Sequence, residues 1–160
     1  MMTLRRGALA TVLSLWLAGC GGSEGDDRVT ASKLVGAAGG TVNGEGSLAG
    51  VVLEIPAGAL DRDVTLTIEE IDPPAPPVGF VRASRVVKLG PDRLSFLVPI
   101  RFTLPFDGAA GQYVYFADDG APAWTPVPGT DYTRSASGKE VIVLTSHFSR
   151  WAVYRPESEN

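Results

Sequence analysis

Residues 51–60 read Val51-Val52-Leu53-Glu54-Ile55-Pro56-Ala57-Gly58-Ala59-Leu60. Val51, Leu53 and Ile55 alternate with Val52 and Glu54, the period of two that puts successive side chains on opposite faces of a strand. Pro56 has no amide hydrogen to give to a ladder, so the strand stops there. Gly58 lets the chain turn, and Ala59-Leu60 bring apolar atoms back beneath the sheet. The same period recurs on both sides of this segment. Val64, Leu66 and Ile68 alternate with Thr65, Thr67 and Glu69, and Ile100, Phe102 and Leu104 alternate with Arg101 and Thr103. Residues 113–116 and 141–144 are apolar on both faces and are expected as inner strands. Turn signals separate these runs, among them Asp72-Pro73-Pro74, Gly90-Pro91-Asp92, Asp118-Asp119-Gly120 and Ser137-Gly138. No proline-free stretch sustains a 3.6 period. Short strands joined by Gly and Pro turns predict an all-β fold, an antiparallel β-sandwich over residues 34–155 with a short tail at 156–160.

Composition narrows the chemistry. The chain has 160 residues, 44% of them hydrophobic, which is too apolar for a disordered polypeptide. One cysteine excludes an internal disulfide and a multi-thiolate zinc site, and one histidine excludes a site built on two imidazoles. A net charge of −4 argues against nucleic acid as a partner, because non-specific binding needs dense Lys and Arg. No metal and no dissociable cofactor is expected.

The first nineteen residues read as an address. Arg5 and Arg6 precede an apolar run over residues 7–17, too short to span a bilayer, and small residues follow. Leu17-Ala18-Gly19-Cys20 resembles the lipobox of bacterial lipoproteins. That resemblance implies cleavage before Cys20 and a covalent lipid on its thiol, hence a membrane anchor. Two or three acyl chains hold stably where one binds only reversibly. Gly21 after the cysteine, in place of the Asp that tends to retain such proteins at an inner membrane, favours the outer membrane of a two-membrane envelope. Removing residues 1–19 deletes Arg5 and Arg6 and moves the net charge from −4 to −6. Residues 20–33 (with GGSEGDDRVTAS at 21–32) are rich in Gly, Ser and acid and are expected to form a flexible tether.

Gly39-Gly40-Thr41-Val42, the segment 51–60, Leu89-Gly90-Pro91, Phe96, Pro99-Ile100 and Leu104-Pro105 occur in the order of a known module. Together they resemble the ZU-five domain, shared by zonula occludens proteins, Unc-five netrin receptors and ankyrins. The resemblance implies a β-sandwich used mostly for protein–protein contact. The spectrin partner of ankyrins has no counterpart for a bacterial lipoprotein. The expected partners are the membrane, through the lipid, and an envelope protein or polymer.

One motif suggests a reaction. In some relatives of this module a His-Phe-Ser sequence is where the chain cuts itself, and His147-Phe148-Ser149 matches it. The Ser149 hydroxyl would attack the Phe148 carbonyl in an N→O acyl shift. His147 would take the proton, and water would then cleave the ester. The plainer expectation makes Phe148 a core residue, with His147 and Ser149 facing solvent at a corner between two strands. No Gly-x-Ser-x-Gly elbow accompanies the serine.

Charge and aromatics suggest two surfaces. Arg82, Arg85, Lys88, Arg93 and Arg101 follow the acidic stretch 61–72. They form either a basic binding face or cross-strand partners of those acids, the second being favoured. Tyr113, Tyr115, Trp124, Tyr132 and Trp151 could supply a row for stacking on a glycan, or could be core.

Overall fold

In the computed structural model, which describes residues 30–108 and 111–157, the alternating segments form twelve strands and one 3-10 turn, Gly46–Leu48. The strands are β1 (Thr30–Val35), β2 (Gly40–Asn43), β3 (Val52–Ile55), β4 (Val64–Glu70), β5 (Phe80–Arg82) and β6 (Val87–Gly90). They continue with β7 (Ser95–Pro105), β8 (Tyr113–Ala117), β9 (Thr125–Pro126), β10 (Tyr132–Arg134), β11 (Glu140–His147) and β12 (Arg150–Pro156). Seven make one antiparallel sheet in the order β1-β4-β6-β12-β8-β9, with β5 also paired to β12. The other five make a second sheet in the order β10-β11-β7-β3-β2. The expected all-β sandwich is therefore the fold, and β8 and β11 sit between neighbours as their two-faced apolarity predicts.

The core lies between the sheets. Leu53, Ile100, Phe102, Leu104, Val141 and Val143 point in from the five-stranded sheet. Leu66, Ile68, Leu89, Val114, Trp151 and Val153 meet them from the other. The Phe102 and Trp151 rings touch across the gap edge-to-face, with centroids 5.8 Å apart. A second cluster occupies the outer face of the seven-stranded sheet, where Val86, Tyr115, Ala152 and Tyr154 pack with Ile71, Phe80 and Trp124. The proline loop that follows β4 covers it, and the Trp124 Nε1–H donates to Ala75 O at 3.0 Å.

The 51–60 segment behaves as its residues require. The Gly58 amide donates to Ala37 O at 2.8 Å, which brings the Pro56-Ala57-Gly58 turn against the turn before β2. There Gly39 has φ +75, and a Cβ on it would lie 2.4 Å from Ile55 O. Only glycine fits that close approach.

One boundary differs from expectation. Residues 30–33, expected in the tether, belong to β1, whose ladder with β4 begins at Thr30↔Glu69. Their polar composition hides the strand, because Ala31 and Val35 are its only buried side chains. The signal peptide, Cys20 and the rest of the tether lie outside the described residues.

The topology gives the sandwich two distinct ends. β1, β4, β6, β8 and β12 alternate in direction, so Val35, Val64, Gly90, Ala117 and Arg150 gather at one end. Thr30, Glu70, Val87 and Tyr154 lie toward the other. The chain thus enters and leaves at the same end.

Candidate functional site

β11 belongs to the five-stranded sheet and β12 to the seven-stranded one, so Phe148 and Ser149 are the link by which the chain changes sheets. A register shift between Thr145 and His147 prepares the turn. The Thr145 hydroxyl accepts the His147 amide at 3.2 Å, donates to His147 O at 3.0 Å, and lies 3.4 Å from His147 Nδ1. Phe148 is 4% exposed and packs edge-to-face on Phe96, with centroids 4.9 Å apart. Its amide donates to Leu94 O at 3.2 Å.

Ser149 is 4% exposed, which corrects the expectation that it faces solvent. Its hydroxyl donates to Asp118 Oδ1 at 3.0 Å, and its carbonyl accepts from the Leu89 amide at 3.1 Å. Arg150 Nη2 donates to Asp118 O at 2.9 Å and to Ala121 O at 2.6 Å, holding the β8–β9 turn against the corner. His147 is half-buried, its ring 5.3 Å from Phe116 and 5.9 Å from Trp151 between centroids. The motif therefore comes together, but the proton acceptor beside Ser149 is Asp118, while His147 Nδ1 is directed to Thr145. The corner peptide is trans, with negative φ on both residues.

An open cleft of about 610 Å³ adjoins the corner, lined by Ser149, His147, Asp118, Asp119, Lys88 and Arg93 among others. Lys88 reaches Asp92 at 3.2 Å and Asp119 at 3.3 Å. Burial alone would lower the Lys88 pKa, but the two carboxylates outweigh it and hold the ammonium above its usual value. The hydrogen bond from Lys88, then one with Asp92 and the Lys88 charge, hold Asp119 below the usual carboxylate range.

The five cations read as one basic face do not form one. Arg101 lies in β7 and pairs at 3.2 Å with Glu54, its register neighbour on the five-stranded sheet. Lys88 and Arg93 border the corner cleft, whereas Arg82 and Arg85 lie at the opposite end. Chain direction explains this, since the loop after β6 crosses the sandwich and carries Arg101 to the other sheet. Arg85 pairs with Glu70 of the 61–72 stretch, whereas Lys88 pairs with Asp92 and Asp119 and Arg101 with Glu54, all outside it.

The aromatic row is absent as well. Tyr115 is 8% and Trp151 2% exposed, and Tyr132 packs against the central core from β10, on the opposite sheet from Trp124. Asp118 was not legible as Ser149's partner, because Asp118-Asp119-Gly120 reads as a turn and nothing local says which strand lies beside it.

The sequence model of the ZU5 domain matches residues 31–113, from β1 to the first residue of β8. The corner at residues 147–149 lies beyond the matched range. A comparison with curated proteins finds no match. The matched range, spanning strands of both sheets and the Gly39 and 51–60 turns, shows that the chain belongs to the ZU5 domain family.

Proposed function

We propose that this protein is a non-enzymatic, lipid-anchored module of the bacterial cell envelope, held through Cys20 and making protein–protein contact with its sandwich. Support for the anchor is the Arg5-Arg6 start, the short apolar run and the Leu17-Ala18-Gly19-Cys20 sequence. An outer-membrane position follows from Gly21 in a two-membrane cell.

One observation carries the contact reading. The outer face of the seven-stranded sheet is covered by its own aromatic cluster, but that of the five-stranded sheet is open. There Leu144, in an inner strand, is 59% exposed. It lines a groove of about 140 Å³ with Ile142, Tyr132 and Arg101. A partner covering this groove would remove apolar surface from water at about 25 cal/mol per Å². The test is a photo-crosslinking side chain at position 144 in intact cells, with the fully exposed Val78 as the comparison site. An adduct formed from 144 and not from 78 is expected. Identical adducts from both positions would contradict the assignment.

Self-cleavage between Phe148 and Ser149 is a second reading, favoured by the carboxylate that accepts the Ser149 proton in its hydrogen bond. It predicts fragments ending at Phe148 and beginning at Ser149. One species of full mature mass, stable over days, would remove it.

A further inference from the structure

At the end of the sandwich where β1 begins, a cleft of about 470 Å³ is lined by Arg82, Arg85 and Arg155, with Glu70 and Asp107. Three guanidiniums and two carboxylates thus meet there, in a chain whose net charge is negative. Arg85 and Glu70 pair, and Ser47 also donates to Glu70, so that carboxylate is engaged on both oxygens. Arg82 is exposed at the mouth. Behind the wall lies a buried amide. Gln112 is 3% exposed, and neither Oε1 nor Nε2 has a partner among the described residues. It stands behind the lining residue Gly108, where a Cβ would sit 3.2 Å from Gln112 Nε2 and 3.8 Å from Arg155 Cδ. Planar guanidiniums suit a tetrahedral oxyanion, since Arg binds phosphate bidentately.

Position says where that oxyanion comes from. This end receives the chain at Thr30 beside Glu69, next to the lining residue Glu70. Thr30 is ten chain steps from Cys20, a link that spans at most about 35 Å. A Gly-rich link of that length keeps the cleft near the surface at an effective concentration of about millimolar, so a weak contact suffices.

We propose that this arginine cleft takes the phosphate of an anionic glycerophospholipid headgroup in the membrane that holds the protein. It would dock the sandwich with its chain-entry end down and the Ser149 corner outward. The proposal rests on the Cys20 anchor for the orientation of the molecule, and not for the chemistry of the cleft.

The test separates the two. The chain from residue 20 onward with Cys20→Ser, the mature form without its lipid, is sedimented with vesicles of phosphatidylcholine alone or with about one third phosphatidylglycerol, at low ionic strength. Binding to the anionic vesicles only is expected. It should fall about 30-fold in Arg82→Ala/Arg155→Ala, from about 1 kcal/mol per arginine near an anionic surface. Exposed Arg82→Glu alone should lower it about fivefold or more, and Arg62→Ala/Arg93→Ala at the corner end should leave it unchanged. Equal binding to both vesicles, or loss only in the corner-end variant, overturns the proposal. Release by inorganic phosphate at constant ionic strength would assign the cleft to a soluble anion instead, and also overturns it. Fractionation of cells carrying wild-type or Cys20→Ser protein reads the anchor separately. Unchanged membrane association there defeats the anchor and leaves the vesicle result standing.

Discussion

Gly39 shows how much one atom decides in this fold. With φ +75 and Ile55 O at 2.4 Å from a notional Cβ, its replacement strains the backbone and forces the two turns of the motif apart. Gly39→Ala should destabilise the protein by about 1–3 kcal/mol, read by urea unfolding. Gly58→Ala, at φ +78 but with open space around it, should cost less. Glu70 gives a pH signature. Burial pushes its carboxyl up, but hydrogen bonds from Ser47 and Arg85 and the charges of Arg85 and Arg82 outweigh this and hold it below its ordinary 4.5. A carboxyl depressed on folding adds stability that is present in full above its unfolded pKa and lost as the pH falls through the folded one. Glu70→Gln should therefore destabilise more at about pH 7 than at about pH 3. An effect of the same size at both pH values would contradict the pairing. The Tyr154 hydroxyl, pushed up to about 12 by burial against a partial offset from Arg82 and Arg150, stays neutral across this range.

At the scale of elements, the sequence made some strands plain and concealed others for physical reasons. β3, β4 and β7 announced themselves because Leu53, Leu66 and Phe102 sit in clean alternation with polar residues. β1 did not, since Thr30-Ala31-Ser32-Lys33 buries only Ala31 before Val35. β5, β9 and β10 have two or three residues, too few to show a period. Alternation says that a face is buried but not which neighbour buries it, so the change of sheet at Phe148-Ser149 and the Ser149–Asp118 bond lay beyond sequence reasoning. The basic cluster failed as a face for the same reason, since Arg101 stands on a strand of the other sheet. The edge is managed by a side chain, where Lys33 Nζ donates to Thr41 O at 2.9 Å and ties β1 to β2. The Ser149 bond joins the corner to the β8–β9 turn, and Ser149→Ala should cost about 1 kcal/mol in urea unfolding while the fold persists. No measurable loss would mean that Arg150 alone holds the turn.

For the molecule as a whole, the sandwich has two distinct ends. The arginine cleft lies where the chain enters from Cys20, and the Ser149 cleft lies opposite. The open face of the five-stranded sheet runs between them. In the anchored arrangement we propose, Leu144 faces sideways, accessible to a neighbour in the plane of the membrane or above it. The most direct measurement is the intact mass of the protein extracted from membranes of the cells that make it. One species is expected, beginning at Cys20, continuing unbroken through Ser149, and heavier than its polypeptide by the acyl groups. A chain still carrying residues 1–19, or one beginning at Cys20 without added lipid, would contradict the anchor, and a fragment beginning at Ser149 would contradict the non-enzymatic reading.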